Sequence, residues 1–242
     1  MKKNKFTTYL LYAIGEIFLV VIGILIAVSI NNWNEQRKIS ALETNILQEI
    51  SQDLKEGLAS LEEDIEINKI MNADISHILN SLETPQSVDD SLDFYFGYIV
   101  FNTTLSLKRG GYDNLKNVGL STIANDSLRQ KITSFYENAY AFIEQYAEKD
   151  RQITQEYFTP LYLQYFESLE DVNTYTNLLS FKSPVLHPKD LEQLRTDKDF
   201  SRLLSFFKYS KREVIYNLSN ANQEITALKE SIDHYLKEKD PN

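Results

Sequence analysis

The 242-residue sequence contains no cysteine and few helix-breaking residues, with 7 glycines and 5 prolines. The lack of cysteine excludes disulfides, zinc–thiolate sites and thiol catalysis. It leaves the compartment open, because a cysteine-free chain folds equally well in the cytosol or outside it. Scarce glycine and proline, together with abundant leucine, isoleucine, glutamate and lysine, favour an all-α fold.

Basic side chains are also scarce, since 25 of them face 35 acidic ones and the formal net charge is −10. Residues 31–242 alone carry 22 basic and 34 acidic side chains. A domain with this charge repels nucleic acid and anionic lipid headgroups, so we expect no nucleic-acid partner. The segment is long enough to bury a core without a disulfide or a structural metal.

One long apolar run lies near the N-terminus, in the string YAIGEIFLVVIGILIAVSINNWNE from Tyr12 to Glu35. As a helix, residues 9–30 would be about 33 Å long, which matches a hydrocarbon core of ~30 Å. Tyr9 and Trp33 bracket this run as aromatic residues do at membrane interfaces. We therefore predict a transmembrane helix over residues 9–30, preceded by a short cytoplasmic tail.

The alternative is a cleaved signal peptide, because the Ala-Val-Ser tripeptide at 27–29 resembles a small-x-small cleavage site. The apolar run exceeds the usual h-region of about 7–15 residues, so an uncleaved signal anchor is favoured. Three lysines in the tail outweigh Arg37 and Lys38 after the span. This bias predicts a cytoplasmic N-terminus and a periplasmic domain in the inner membrane.

Glu16 is the charged residue inside this span, where ionisable groups are costly and usually face protein. Gly23 and Ala27 share its helix face and form a small-x-x-x-small pattern, and Tyr12 lies one turn before it. This face predicts helix association with a second copy or with another membrane protein. Two other interpretations stay open: Glu16 snorkels to the interface, or it couples ion movement as in ion-driven motor subunits.

The string from Tyr12 to Lys38, YAIGEIFLVVIGILIAVSINNWNEQRK, resembles the N-terminal signature of DUF6090, an uncharacterised family of small membrane proteins from Bacteroidota. A second string, GYDNLKNVGLSTIANDSLRQKITSFYE from Gly111 to Glu137, is similar to the central motif of that family. The resemblance implies a Gram-negative inner-membrane protein with a helical domain. It implies no activity, since none is assigned to the family.

Apolar residues beyond the span recur at steps of three and four, which predicts that the membrane helix continues as an amphipathic helix toward Leu82. The stripe consists of Ile39, Leu42, Ile46, Ile50, Leu54, Leu58, Leu61 and Ile65. We expect this helix to end before Pro85, because proline disfavours continuation. A second helix is predicted from about Asp89.

Glycines and capping residues divide the middle of the chain. The pair Gly110-Gly111 predicts a turn with positive φ, and residues 112–118 predict a short helix that ends at Gly119. The next helix is expected to begin with a cap at Asn125 or Asp126.

That helix should run on until Pro160 breaks or kinks it. The segment Tyr175 to Asp190 predicts an irregular connection, and a last long helix follows a cap at Thr196 or Asp197. Together these elements predict an up-and-down helical bundle with long first and last helices.

The sequence shows no catalytic or phosphate-binding motif, so we expect a non-enzymatic protein without a cofactor or a bound metal. Three scattered histidines, His77, His187 and His234, lack ligand-type neighbours and are expected to be structural or exposed. The carboxylates of Glu62 to Glu66 predict a charged outer helix face.

Aromatic residues between 135 and 166 predict either a core or a binding groove. Phe135, Phe142 and Tyr146 fall at bundle-core spacing, which favours a core. The whole series is Phe135, Tyr136, Tyr140, Phe142, Tyr146, Tyr157, Phe158, Tyr162, Tyr165 and Phe166.

The segment GYDNLKNVG is the candidate binding loop, and its predicted contact residues are Gly111, Tyr112, Lys116 and Gly119. The sequence as a whole predicts a membrane-anchored scaffold or accessory subunit that contacts lipid and self-associates or joins another membrane protein. Two alternatives are a ligand-sensing bundle that signals through a partner and an ion-coupled subunit using Glu16. A cell-wall hydrolase is disfavoured, because no motif supports it.

Overall fold

The computed structural model describes residues 5–84, 92–100, 105–175 and 182–239. Two long helices, α1 over Lys5–Glu83 and α8 over Lys198–Lys239, form the length of the bundle. The predicted all-α fold is confirmed, with one two-stranded hairpin added to it.

α1 and α8 run antiparallel. The Lys239 ammonium at the end of α8 donates to the Ser40 carbonyl at 3.1 Å, near the start of the packed part of α1. At the other end, the Asn72 side chain donates to the Lys208 carbonyl at 2.9 Å. The C-terminal end of α8 therefore lies next to the apolar end of α1.

α1 is a single helix of 79 residues, so the predicted continuation beyond residue 30 is confirmed. It ends at Glu83, as expected for a helix followed by Pro85. Ile39 and Leu42 of the predicted stripe are exposed, whereas Glu43 and Leu47 are buried. The first two residues of the stripe are exposed because α8 ends opposite Ser40. Within the described residues, nothing packs against the turns of α1 before that point.

Short elements fill the middle of the chain: α2 over Leu92–Tyr98, α3 over Gly110–Val118 and a 3₁₀ turn over Leu120–Thr122. Both glycines of the 110–111 pair are helical, so the predicted turn there is wrong. Gly119 is the positive-φ glycine of the described residues, at 101°, and it ends α3 as predicted. The predicted start of α2 near Asp89 lies outside the described residues.

A helical rod over residues 126–163 follows. Asn125 caps it as predicted, because its side chain accepts a hydrogen bond from the Leu128 N–H. The rod consists of α4 (Asp126–Ser134), a first π-helical segment (Phe135–Ala139), α5 (Tyr140–Gln152), a second π-helical segment (Ile153–Phe158) and α6 (Thr159–Leu163). Pro160 does not break the rod. It lies just after the second π-helical segment, where the backbone pairing of the continuous rod changes.

A β-hairpin overlaps the predicted irregular connection, and its second strand lies within residues 175–190. Strand β1, Phe166–Tyr175, pairs antiparallel with β2, Lys182–Pro188, and Leu169 stands opposite Leu186. The prediction of irregular structure is therefore wrong for β2. The backbone groups of β2 bond to those of β1, and the apolar pattern of the sequence does not reveal this pairing. Residues 176–181 of that predicted connection lie outside the described residues.

The last helices each begin at an aspartate. The Asp190 carboxylate caps the short helix α7, Leu191–Thr196, which was not predicted. The Asp197 carboxylate accepts the N–H groups of Asp199 and Phe200, so α8 begins at one of its two predicted caps.

Among the described residues, two large hydrophobic cores lie along α1 and α8, and Ile67, Met71 and Tyr98 form a third, small cluster. The proximal core is next to the apolar end of α1, and its residues include Ile46, Leu47, Ile50, Leu61, Tyr112, Leu115, Tyr136, Val214, Leu218, Ile225 and Ile232. The distal core lies at the far end and includes Ile75, Ile78, Phe96, Phe158, Tyr162, Phe166, Phe200, Leu204 and Phe207.

Candidate functional site

The residues predicted to associate in a membrane, Tyr12, Glu16, Gly23 and Ala27, all lie on the exposed apolar end of α1. At 3.6 residues per turn they fall within an arc of about 60°. A Cβ added at Gly23 would meet nothing within 4 Å, so a second helix has room to approach this face. Association through the face remains a prediction.

Among the described residues, one helix is long and apolar enough to cross a membrane, and its apolar window is this end of α1. The predicted interface residues Tyr9 and Trp33 are both exposed and are separated by about 36 Å of helix. The guanidinium of Arg37 lies 5.7 Å from the centroid of the Trp33 ring. A cation and an aromatic ring therefore lie together at the end of the apolar run that is next to the bundle.

The predicted binding loop is instead the helix α3, packed tightly against α1. A Cβ added at Gly111 would lie 2.7 Å from the Ile50 backbone nitrogen, so glycine allows the two helices to touch. The Gly111 N–H donates to the Asp53 carboxylate at 2.8 Å. Tyr112 is only 1% exposed. Lys116 lies in the last turn of α3, and Gly119 is its C-cap. Ligand binding by these four residues remains untested.

Tyr112 forms an aromatic contact between α3 and the rod. Its ring stacks on that of Tyr136, with 4.4 Å between the ring centroids. Its hydroxyl donates to the Glu137 carboxylate at 2.7 Å, and the Lys116 ammonium donates to the same carboxylate oxygen. Burial and this hydrogen bond raise the pKa of Tyr112 to about 12. The hydrogen bonds from Tyr112 and Lys116 lower the pKa of Glu137. With the phenol protonated and the carboxylate ionised at neutral pH, the group stabilises packing and is poorly suited to acid–base chemistry.

Sequence reasoning missed a buried carboxylate at Glu43. It accepts hydrogen bonds from the Ala124 N–H at 2.8 Å and the Tyr235 hydroxyl at 3.0 Å, and it pairs with the Lys239 ammonium. Two other segments, the turn at Ala124 and the end of α8, therefore meet on one side chain of α1. The available signal was its spacing, because Glu43 lies three residues before Ile46 on the buried stripe.

A second buried ion pair joins the rod to α8. The Lys211 side chain, 2% exposed, donates to Asp150 at 2.9 Å and to the Thr154 hydroxyl at 3.2 Å. The ammonium also lies 4.9 Å from the Phe207 ring centroid. Thr154 belongs to the second π-helical segment, a geometry that often marks functional sites. Lys211 falls on the apolar stripe of α8, which is the only sequence signal for it.

A cleft of about 360 Å³ opens beside this ion pair, between α1, segment 105–107, α5 and α8. Its aliphatic walls come from Leu105, Leu107, Val214 and Leu218, and Asn68 lies on its α1 side. Charged side chains line the remainder: Asp64, Glu144, Glu148, Asp150 and Arg151. Its size falls within the range of small-molecule sites, at the lower end.

The predicted aromatic series divides between core and surface. Six members are buried: Phe135, Tyr136, Tyr140, Phe158, Tyr162 and Phe166. Phe142 is 56% exposed, so its predicted core position is wrong, and the neighbouring Ile143 is buried instead. The first π-helical segment explains this change, because its wider turn shifts the register of every later residue in the rod.

The rod and α8 both expose large apolar side chains, and we call this set the aromatic face. Its members are Phe142, Tyr157, Leu161, Phe206, Tyr209 and Tyr216, of which Phe206 and Tyr209 border one groove. A groove of about 400 Å³ separates the two helices here, with Tyr146 and Ile153 on one wall and Phe206 and Tyr209 on the other. Exposed apolar patches of this kind mark interaction surfaces.

The histidines and the acidic run do not assemble a metal centre. Among the described residues, no three histidine or acidic side chains are grouped to hold an ion. The Nδ1 atom of His187 lies 2.7 Å from the Asp93 carboxylate, and the ring centroids of His77 and Tyr95 are 4.4 Å apart. In the run 62–66 three glutamates are exposed as predicted, whereas Asp64 is buried.

Comparison with known proteins places these features in a family. Searches of curated proteins and of solved structures return no match. The profile described as "Family of unknown function (DUF6090)" matches residues 16–180. The match includes most of the apolar end of α1, the α3 contact with α1, and the rod. The chain belongs to the DUF6090 family, whose function is unknown.

Proposed function

We propose that residues 9–30 anchor the chain in the inner membrane, with residues 1–8 in the cytoplasm and residues 31–242 in the periplasm. The chain acts there as a non-enzymatic scaffold or accessory subunit. One observation carries this proposal: the apolar end of α1 exposes its side chains and continues without a break into the packed bundle. Exposing so much apolar surface to water is costly, and a lipid bilayer removes that cost.

The aromatic face supports a binding role for the domain. Its exposed Tyr and Phe side chains are of the types enriched at protein interfaces, and they lie on two neighbouring helices. Glu43 supports a mechanical link, because it joins α1, Ala124 and the end of α8 about 15 Å beyond Trp33. A partner that rotates or shifts the membrane helix would therefore move the base of the bundle.

Self-association in the membrane is tested by cysteine crosslinking in native membranes. The chain has no cysteine, so Ala27→Cys introduces its only thiol. We expect a disulfide-linked dimer on mild oxidation. Leu25→Cys is the matched control, because Leu25 lies about 160° around the helix from Ala27. Dimer formation by neither variant, or by both equally, would reject association through the Glu16 face.

Ligand sensing through a partner is a second candidate function, and the cleft beside Lys211 is the observation that favours it. In that case the cleft would receive a small molecule, and Glu43 would pass the change to the membrane helix.

A further inference from the structure

We propose that the cleft between α1, segment 105–107, α5 and α8 binds an aliphatic amine, with an α,ω-diamine or polyamine as the preferred class. The inference deepens the sensing candidate and is independent of association through the membrane helix. Three features of the cleft carry it: an unsatisfied buried acceptor, an excess of carboxylates and aliphatic walls.

The unsatisfied acceptor belongs to Asn68, which is 2% exposed and lines the cleft. Its amide nitrogen donates to the Asp64 carbonyl at 2.8 Å, and this bond fixes which end of the amide is the oxygen. The Asn68 Oδ1 atom has no hydrogen-bond partner in the structure as described. Leaving a buried carbonyl without a donor is unfavourable. The atom is covered by protein, so an N–H group in the cleft would satisfy it after a small movement of the lining side chains.

The charge of the lining selects a cation. Three carboxylates of α5, those of Glu144, Glu148 and Asp150, line the cleft beside one guanidinium, that of Arg151. The nearby cations are already engaged, since Arg151 pairs with Glu148 at 2.6 Å and Lys211 with Asp150 at 2.9 Å. The lining therefore keeps a negative formal charge, which attracts an ammonium group and repels an anion.

The walls suit a methylene chain, and one of them is held firmly in place. Leu107 packs against Gly57, where an added Cβ would lie 3.2 Å from its Cδ2 atom. The Leu107 carbonyl accepts the Tyr140 hydroxyl at 3.1 Å, and the Ser106 N–H donates to the Ser60 hydroxyl at 3.0 Å. This fixed wall faces Val214 and Leu218 of α8 across the cleft. An amine with a hydrocarbon stem matches both the walls and the charged mouth.

Titration calorimetry of the full chain in detergent micelles tests the proposal, with putrescine and spermidine as probes. We expect saturable binding of at least one probe at concentrations up to about 10 mM. 1,4-Butanediol has the same carbon chain as putrescine without its charge, and succinate carries the opposite charge. Neither control compound should bind. No saturable binding of either amine would overturn the proposal.

Two matched pairs of variants locate the site. Ala147→Trp fills the cleft from a half-buried wall position of α5, whereas Ala141→Trp places the same side chain on an exposed position of that helix. We expect the first to abolish binding and the second to retain it. Glu144→Gln should weaken binding about tenfold, while Glu230→Gln on the exposed surface of α8 should leave it unchanged.

Equal affinity for the Ala147 and Ala141 variants would overturn the proposal, as would equal affinity for the Glu144 and Glu230 variants. Unchanged helical circular dichroism for each variant ensures that lost binding reflects the cleft. The crosslinking of Ala27→Cys is a separate measurement, so failure of amine binding leaves the test of self-association intact.

Discussion

The proximal and distal cores use different chemistry, although α1 and α8 run through both. In the proximal core, carboxylates bind particular backbone groups: Glu43 accepts the Ala124 N–H and Asp53 accepts the Gly111 N–H. The distal core is a stack of aromatic rings, among which Phe158 and Phe207 lie 3.6 Å apart and nearly parallel. Both cores contain stacked rings and buried hydrogen bonds, and in the distal core the Tyr162 hydroxyl donates to the Phe96 carbonyl at 3.1 Å. The difference is that carboxylates bind backbone N–H groups in the proximal core, whereas the distal core depends mainly on buried aromatic area.

This difference has a functional consequence. Hydrogen bonds to backbone groups permit one register, whereas apolar cores tolerate side-chain exchange of similar volume. The proximal core therefore fixes the rotation of α1 relative to the bundle, at the end where α1 continues into its apolar run. The two strings that resemble DUF6090 motifs, residues 12–38 and 111–137, both contribute to this end of the molecule. The first lies in the start of α1, and the second includes α3 and the start of the rod.

The largest expected effect comes from removing a ring of the distal core. Phe207 is fully buried against Phe158, so Phe207→Ala should lower the free energy of unfolding by about 3–5 kcal/mol. Phe206→Ala is the control. Phe206, the residue before Phe207, is 55% exposed, so this variant should lower the free energy of unfolding by less than about 0.5 kcal/mol. Chemical unfolding of the full chain in micelles measures both. Similar losses for the two variants would show that the distal core is not a packed stack.

A smaller loss is expected when the proximal core loses a charge. Glu43→Gln keeps the shape of the side chain but leaves the Lys239 ammonium without its buried carboxylate. We expect a loss of about 2–3 kcal/mol in the same unfolding measurement. Glu35→Gln breaks an exposed pair with Lys38 and should cost less than about 0.5 kcal/mol. If Glu43→Gln were as harmless as Glu35→Gln, directional bonding would not distinguish the proximal core.

Two adjacent glycines sharpen the comparison further. Gly111→Ala should destabilise by about 1–3 kcal/mol, since its Cβ would lie 2.7 Å from the Ile50 nitrogen and force α3 away from α1. Gly110→Ala, whose nearest contact would be 3.6 Å away, should be neutral or stabilise the helix by up to about 1 kcal/mol. Thermal unfolding of the two variants measures the difference. Equal effects would argue that α3 and α1 are not in backbone contact.

The sequence predicts the helices better than it predicts these contacts. The step of the apolar stripe and the capping residues Asn125 and Asp197 depend on local chemistry, so α1, the rod and α8 were predicted with only small errors at their ends. The hairpin was missed because strand pairing joins residues distant in sequence. Phe142 was misplaced because a π-helical turn leaves no signature in an apolar pattern.

The candidate sites divide in the same way. The exposed face of Glu16, Gly23 and Ala27 follows from helix periodicity alone, so the sequence was sufficient to define it. The cleft depends on four segments that meet in space, and neither Asn68 nor Glu144 stands out along the chain. Gly111 was singled out for the wrong reason: it permits close helix packing, and its backbone needs no positive φ.

The smallest expected effect concerns a carboxylate that lies beyond the proximal core. Burial raises the pKa of Asp74 on α1 to about 7, from an unfolded value near 3.8. Burial, together with the charge of Asp74, also raises the pKa of Tyr98 on α2. Glu43 and Asp53 accept hydrogen bonds from backbone N–H groups, whereas the cause acting on Asp74 is burial, which favours its neutral form.

The sign of the pH dependence follows from proton binding. Between about pH 4 and pH 7 the folded chain keeps a proton on Asp74 that the unfolded chain has lost, so this group's contribution to stability falls as pH rises and is constant above pH 7. Asp74→Asn removes that slope. Because the side chain is partly exposed and screened, we expect the variant to be more stable than the parent by only about 1 kcal/mol at pH 8, and equal to it near pH 4. Urea unfolding at several pH values measures the difference, with the exposed Glu66→Gln as control. A difference that is constant with pH, or a parent that is the more stable at pH 8, would mean that a favourable partner, and not burial alone, sets the protonation of Asp74.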